Sequence, residues 1–158
     1  MPKRRDLPHV GWREWLALPE LGVRRIKAKI DTGARTTALH AFGLEEFEQE
    51  GRPWVRFAIH PRQRVDTLEI LVEHPVFEFR HVRSSNGIEV RRPVIVTQIN
   101  LGRFAWTTEI TLAARDAMGF RMLLGRQSIR DHFLVDPGRS FLRKQRRSGD
   151  RLPKPSST

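Results

Sequence analysis

The sequence I-K-A-K-I-D-T-G-A-R-T-T-A-L, residues 26–39, decides the fold of this chain. Its first part alternates apolar residues with lysines, and an alternation of period two predicts a β-strand that is buried on one face. The strand runs directly into D-T-G-A at 31–34, where Gly33 permits a backbone turn that a Cβ would obstruct. The turn leaves two interpretations open: Asp31 is an ordinary strand-ending residue, or it is a carboxylate held at a cleft for acid–base chemistry.

Two later stretches supply a second strand and a hairpin. The apolar residues 122–124 predict a short strand that runs into Gly125 and Arg126, followed by a helix-compatible segment at 127–133. Between the two strands lies R-S-S-N-G at 83–87. Its last two residues predict a two-residue hairpin turn of type I′, because both tolerate a positive φ.

Many short strands separated by turns predict a closed or sandwiched all-β domain. An early Asp-Thr-Gly turn, a flap-like hairpin tip and a late apolar-Gly-Arg strand resemble the retropepsin-like aspartic proteases in kind and in order. The string A-K-I-D-T-G-A-R-T-T-A-L-H-A at 28–41, with G-W-R-E-W at 11–15 before it, is most similar to one bacterial family. That family carries the name ATP-dependent zinc protease and is associated with ribosomal protein glutamate ligases. The resemblance covers residues 10–142 and implies a closed retropepsin-like barrel with one short helix near the C-terminus.

The resemblance also implies a mechanism and a set of site residues. Two facing carboxylates share one proton; one activates a water and the other polarises the scissile carbonyl. The chain contains a single Asp-Thr-Gly, so each protomer of a homodimer would supply one Asp31. The implied catalytic residues are Asp31, Thr32 and Gly33. The implied substrate-binding residues are Ala34, Arg35, Arg83, Ser84, Ser85, Asn86, Gly87 and Arg126.

Arg35 departs from the pattern of the retroviral relatives. In those proteins an acidic residue two positions past the turn glycine pairs with the arginine that corresponds to Arg126. Here that position is Arg35, so the acid–arginine pair cannot form. Two outcomes stay open: both cations lie near the cleft, or Arg35 points to solvent.

Length and charge indicate the domain plan and the partners. The 158 residues suffice for one domain, and we expect a flexible segment at 1–9, a retropepsin-like β domain at 10–142 and a disordered basic tail at 143–158. The formal charge is +11, of which the tail carries +5 and the rest of the chain +6. Such an excess attracts anions, so we expect an acidic peptide or protein substrate and proximity of the tail to the ribosome or RNA. The family's association with glutamate ligases makes poly-glutamate one candidate.

Several classes of site and location are excluded or not expected. The chain has no cysteine, which excludes disulfides, thiolate catalysis and cysteine-bound zinc. The histidines show no metal-ligand spacing and no phosphate-binding loop is present, so we expect neither a metal nor another cofactor. No apolar run approaches the roughly 20 residues of a membrane span, and the start lacks the apolar core of a signal peptide, so we expect a cytoplasmic protein without membrane contact. The tryptophans fall on strand faces and are expected in the core: Trp12, Trp15, Trp54 and Trp106.

The function expected is therefore an aspartic endopeptidase that hydrolyses peptide bonds by direct attack of water. Two alternatives stay open. One is a non-catalytic basic β-barrel module that binds acidic peptide or RNA, and the other is the same fold performing a different hydrolysis. The oligomeric state discriminates between catalysis and binding, because a strict monomer cannot assemble two Asp31 carboxylates.

Overall fold

The computed structural model describes residues 6–62, 68–83, 86–114 and 119–143, and within these ranges the chain consists of strands with a single short α-helix. The strands are β1 (His9–Val10), β2 (Arg13–Leu18), β3 (Val23–Asp31), β4 (Thr37–His40), β5 (Phe42–Gln49), β6 (Arg52–Ile59), β7 (Ile70–Pro75), β8 (Glu78–Arg83), β9 (Glu89–Leu101), β10 (Phe104–Ala113), β11 (Met122–Gly125) and β12 (Leu134–Val135). The helix α1 is Arg126–Ile129, and a 3-10 turn spans Pro19–Leu21. No helix in these ranges is long and apolar enough to cross a membrane.

Residues 1–5 and 144–158 lie outside the described ranges. The flexible start and the disordered basic tail therefore stay predictions. The same holds for the expected role of the tail near the ribosome or RNA.

Six of the described strands close into a ring. Around the ring they follow the order β10, β4, β11, β3, β2 and β9, and β9 pairs in turn with β10. The β9–β10 pairing is long, whereas β2 meets β9 through the single pair Ala17 and Asn100. β8 lies outside the ring and pairs with the first part of β9, with which it forms a hairpin. The predicted all-β closed barrel with one short helix near its C-terminus is confirmed.

The inside of the ring is the hydrophobic core. On β3, Ile26, Ala28 and Ile30 are buried, as the alternation predicts, and the residues between them face outward. Each fully buried aliphatic side chain contributes about 1.5–3 kcal/mol relative to exposure. The core shared by the ring strands includes Leu16, Leu18, Leu39, Ile95, Ile99, Leu101, Trp106, Ile110, Leu112, Met122 and Leu124. This interior makes β3 a rigid support for the residue at its end.

Only one tryptophan lies in this core. Trp106 is buried, whereas the other three are half-buried. Trp12 and Trp15 lie on the outer side of the barrel, where cationic side chains cover their rings. The prediction that all four are core residues is therefore wrong for three of them. Long cationic side chains shield the rings of Trp12 and Trp15 in place of the core, and Trp54 of β6 lies beside Phe47 of β5.

The strands β5, β6 and β7 form a second, antiparallel sheet. β5 and β6 are joined at Gln49 and Arg52, which pair with each other and leave Glu50 and Gly51 as a two-residue turn. Both turn residues have positive φ, 55° and 75°, which is the type I′ geometry that suits a right-handed twisted hairpin.

Glu14 joins the two ends of the domain. Its side chain is fully buried, in the inward phase of β2 together with Leu16. The carboxylate accepts hydrogen bonds from the backbone N–H groups of Gly11 at 2.7 Å, Leu142 at 2.9 Å and Arg143 at 3.1 Å. A buried carboxylate needs such donors to offset its lost hydration. Glu14 therefore fixes the C-terminal segment against the first long strand.

Replacing Glu14 with alanine should lower the free energy of unfolding by about 2–4 kcal/mol, because three backbone N–H groups lose their acceptor and a cavity opens. Urea unfolding followed by tryptophan fluorescence measures the change. Glu48→Ala removes an exposed carboxylate from β5 and is the matched control, with an expected change under about 0.5 kcal/mol. Equal unfolding free energies for the two variants would contradict the role of Glu14.

Candidate active site

Asp31 ends β3 and is held by its own turn. Its Oδ1 accepts hydrogen bonds from the N–H of Gly33 at 3.0 Å and the N–H of Ala34 at 3.2 Å, and Ala34 N also donates to Asp31 O at 3.2 Å. A Cβ on Gly33 would lie 3.3 Å from Oδ1, so glycine leaves the carboxylate its space. Among the described residues, Oδ2 receives no hydrogen bond from the protein. One oxygen is therefore held by the turn and the other has no protein partner among the described residues, while the neighbouring Thr32 is exposed.

The second support of the turn is β11, which runs parallel to β3 and places Gly125 beside Asp31. After β11 the chain meets the segment that follows the turn: Arg126 N donates to Ala34 O at 2.8 Å, and Gln127 N donates to Arg35 O at 3.1 Å. These contacts fix both sides of the Asp31 turn.

A close crossing of two backbones makes those contacts possible. A Cβ on Gly125 would lie 2.4 Å from the carbonyl carbon and oxygen of Thr36, closer than any side chain can approach. The segment 34–36 therefore passes directly over the glycine. The sequence signal for this crossing is the Gly-Arg pair that follows an apolar strand.

Three hydroxyl groups missed by the sequence analysis stabilise the crossing. Gly125 N donates to Thr37 Oγ1 at 3.0 Å, Thr37 Oγ1 lies 2.6 Å from Ser128 Oγ, and Ser128 Oγ lies 2.7 Å from Thr108 Oγ1. Thr37 and Ser128 are buried, and buried hydroxyls are stable only when they are hydrogen-bonded. The chain of hydroxyls links β4, α1 and β10. The sequence contains a signal for the burial of Thr37: it lies two residues before Leu39 on β4, so both side chains point to the buried face of the strand.

Arg126 and Arg35 differ in what they contact. The Arg126 guanidinium donates to Gly33 O at 3.2 Å, so it binds the turn backbone instead of an acidic side chain. The Arg35 side chain is exposed and forms no hydrogen bond or ion pair with another described side chain. Of the two outcomes left open by the sequence, Arg35 faces solvent within one protomer. Both cations flank the turn that carries Asp31.

The hairpin of β8 and β9 carries the other predicted substrate-binding residues. Among the described residues its last pair is Arg83 with Glu89, and Gly87 has a φ of 82°. The prediction of a two-residue type I′ turn at Asn-Gly is therefore wrong. The pairing register centres on Asn86, whose Oδ1 accepts the N–H of Ile88 at 3.2 Å and closes the turn through the side chain. Ser84 and Ser85 lie outside the described residues.

A groove lies beside this hairpin tip. Its volume is about 220 Å³, and its lining includes Asn86, Ile88, Val90, Leu44 and Leu112. The described residues of the Asp31 turn are not part of this lining. Within one protomer the structure thus brings 31–35 together with Arg126, and Asn86 lines the groove beside the hairpin tip.

The histidines do not form a metal centre in the described part of the chain, where no three His, Asp or Glu side chains converge. His40, close to Asp31 in sequence, is buried and stacks on Phe42 with ring centroids 4.0 Å apart. His132 stacks on Trp106 at 5.1 Å; burial lowers its pKa, an effect opposed by the nearby Asp131. At neutral pH His132 therefore adds no positive charge near α1.

Comparison with known proteins places this geometry in a family. The model of the RimB-like family, described as retropepsin-like aspartic endopeptidase RimB, matches residues 9–146. The chain belongs to the RimB-like family. The family name expected from the sequence, ATP-dependent zinc protease, is thereby corrected, because the matching family is described as an aspartic endopeptidase. The matched range contains both the Asp31 turn and the crossing at Gly125.

Relatives carry the domain inside longer proteins. The chain is 47% identical over 132 residues to a protein of Shewanella pealeana named probable alpha-L-glutamate ligase, covering 84% of this chain and 29% of the relative. A Parasynechococcus marenigrum protein of the same name is 47% identical over 128 residues, covering 81% of this chain and 28% of the relative. The chain thus spans less than a third of these relatives. A crystal structure of a Legionella pneumophila protein of unknown function is 29% identical and superposes with a TM-score of 0.70, covering 85% of this chain and 97% of that one.

Gly125→Ala should destabilise the fold by about 1–3 kcal/mol, because the new Cβ must push the Thr36 backbone away. Thermal unfolding by circular dichroism measures the loss as a lower Tm. Gly138→Ala is the matched control, since its Cβ would meet only Asp136 Oδ1 at an ordinary 3.6 Å. Equal Tm values for the two variants would contradict the close crossing.

Proposed function

We propose that this protein is an aspartic endopeptidase of retropepsin type that works as a homodimer. The observation that carries the proposal is the Asp31 carboxylate, fixed through Oδ1 by Gly33 and Ala34 at the end of a rigid barrel strand, with Oδ2 left open. Membership of the RimB-like family supports the same reaction class. One chain contains one such turn, so two protomers are needed to bring two carboxylates together.

The chemistry follows from the pairing of two like charges. Two carboxylates at hydrogen-bond distance share one proton, because both cannot stay ionised there. The ionised one takes a proton from a water as it attacks the scissile carbonyl, and the protonated one donates to the carbonyl oxygen. The tetrahedral intermediate then collapses as the amine leaves with a proton from the dyad. Thr32 and Gly33, next to the carboxylate, would support the dyad and bind the substrate backbone.

The substrate we propose is an acidic peptide segment, with poly-glutamate as the leading candidate. Exposed cations stand beside the turn at Arg35 and Arg126, and Arg83 lies at the root of the hairpin. Cationic side chains at a partly desolvated site favour carboxylates. Relatives named glutamate ligases contain this domain within longer chains, which supports a substrate that carries added glutamates. Ser84, Ser85, Asn86 and Gly87 would contact this substrate from the hairpin. A cytoplasmic location belongs to the same proposal.

The second candidate is a non-catalytic module that holds an acidic peptide for another enzyme. The observation in its favour is that the relatives are named as ligases and not as peptidases. Both candidates require binding of an acidic peptide. Only the first requires cleavage, so the two are separated by the reaction and not by affinity.

Asp31→Asn should abolish peptide cleavage while the protein still folds and binds, because it removes charge but little volume. Mass spectrometry of glutamate-rich peptides after incubation detects cleavage, and fluorescence anisotropy with a labelled peptide measures binding. Asp136→Asn, which alters the carboxylate of an exposed turn, is the control and should retain full activity. Cleavage by Asp31→Asn at the wild-type rate would exclude the aspartic mechanism. Binding without cleavage in the wild type would favour the second candidate.

Specific activity should fall on dilution, because only the dimer contains two Asp31 carboxylates. Light scattering and activity measured over the same concentration series should give matching midpoints. Mixing wild type with an excess of Asp31→Asn should inhibit, since mixed dimers carry one carboxylate and one amide. A monomer that keeps full specific activity would contradict the shared site.

A further inference from the structure

A row of cations runs along the outer face of β3 toward Asp31. Side chains of a strand alternate between its faces, so Arg25, Lys27 and Lys29 lie on the same side as Asp31. We name these three residues the cationic row. At about 3.3 Å per residue, the distance from Asp31 to Arg25 along the strand is about 20 Å. Arg13 of β2 pairs with Lys29 and widens the row.

Aromatic rings hold part of the row in place. The Arg25 guanidinium lies 3.8 Å from the centroid of the Trp15 ring, and Lys27 Nζ lies 5.8 Å from Trp15 and 5.6 Å from Phe120. A cation over an aromatic face is attracted by the ring and loses rotational freedom. A stacked guanidinium still points its N–H groups outward in the plane, where they can donate to a carboxylate. Arg25 and Lys27 are therefore partly ordered before a ligand binds.

On the described strands next to the cationic row, the outward-facing charges are positive apart from Asp31. In the three adjacent described strands β2, β3 and β11, the other acidic side chain is Glu14, which is buried on the inner face. A ligand that follows β3 outward from Asp31 thus meets positive charge at every second residue. Long-range attraction from such a surface favours an anionic, extended ligand.

Based on the proposed function, we propose that the cationic row is an extended subsite for a run of acidic residues on one side of the scissile bond. An extended peptide places every second side chain on one face, with the same spacing of about 6.6 Å as the row. Alternate carboxylates of a glutamate run would therefore meet Lys29, Lys27 and Arg25 in turn. The enzyme would thus select the length of the acidic run as well as its charge.

A single-stranded nucleic acid fits the row less well. Such ligands gain much of their affinity from bases stacked on exposed aromatic faces. Here the Trp15 ring is covered by Arg25 and stacks with Phe141 at 5.7 Å, while the Arg13 guanidinium lies 4.6 Å from the Trp12 ring. The contacts left for a ligand are those of the cations, which suit carboxylates.

Kinetics with peptides of two, four, six and eight glutamates test the subsite. In the wild type, KM should fall as the run lengthens, whereas matched glutamine peptides should show no such trend. Lys27→Gln and Arg25→Gln should each raise KM for the longest peptide by about threefold to fivefold, with kcat unchanged and little effect on the shortest peptide. Arg103→Gln removes an exposed charge from the β9–β10 turn and should leave the length dependence intact. Unchanged length dependence in the row variants, or an equal loss with the shortest peptide, would overturn the proposal.

Binding separates a failure of the subsite from a failure of the proposed function. Anisotropy of a labelled eight-glutamate peptide with Asp31→Asn protein does not depend on cleavage. Adding Lys27→Gln to that variant should weaken binding by about threefold to fivefold, more so at low salt. Equal affinity with and without Lys27→Gln would contradict the proposed role of the cationic row as a subsite, even if the wild type cleaves the peptide. Stronger displacement of the peptide by an RNA oligonucleotide of equal charge would assign the surface to RNA instead.

Discussion

The geometry of the site depends on the absence of a side chain at Gly125. The backbone of Thr36 passes so close that a Cβ would overlap it at 2.4 Å. Because the two backbones can cross there, Arg126 N reaches Ala34 O and joins the two sides of the Asp31 turn. Asp31 is then held by β3, which precedes it, and by β11, which lies beside it. Such support from two ordered strands preorganises the position of the Asp31 side chain.

The charges around the turn fall into a fixed and a movable group. Arg126 binds Gly33 O, so its guanidinium belongs to the frame of the turn. Arg35 is exposed and has no partner among the described side chains, so it can adapt to a ligand. In the retroviral pattern an acidic residue at this position would neutralise the arginine. The substitution of that acid by Arg35 changes the surface next to Asp31 from neutral to positive without removing the support of the turn.

The local sequence pattern was sufficient to predict β3 and the position of Asp31 at its end, because the alternation of buried and outward-facing side chains is a property of a single strand. It was insufficient for the hairpin at Asn86. The preference of Asn-Gly for a two-residue turn competes with the six residue pairs between β8 and β9, from Glu78 with Val94 to Arg83 with Glu89, which set the register. The type I′ turn occurs instead at Glu50 and Gly51.

Contacts between distant segments were beyond the reach of the sequence. The inward phase of β2 shows that Glu14 faces the core, but nothing local identifies Leu142 and Arg143 as its donors. Thr37 is similar, since its phase indicates burial while its partner Ser128 lies on another element. The hydrogen-bond partners of Glu14 and Thr37 could therefore be identified only from the folded structure.

The position of Asp31 in line with the cationic row is expected of the proposed peptidase more than of the proposed binding module. A surface that only holds an acidic chain would lose affinity from a carboxylate in line with Lys29 and Lys27, because like charges repel. A peptidase needs a carboxylate there, since the scissile bond must be brought to it by the residues that bind the chain. The repulsion between the proposed pair of Asp31 carboxylates and an acidic substrate is smaller when the pair shares a proton, because the pair then carries one negative charge instead of two. Cations that lead along β3 to a carboxylate are the arrangement that the proposed dimeric peptidase requires, since the same chain must first be bound and then be cut.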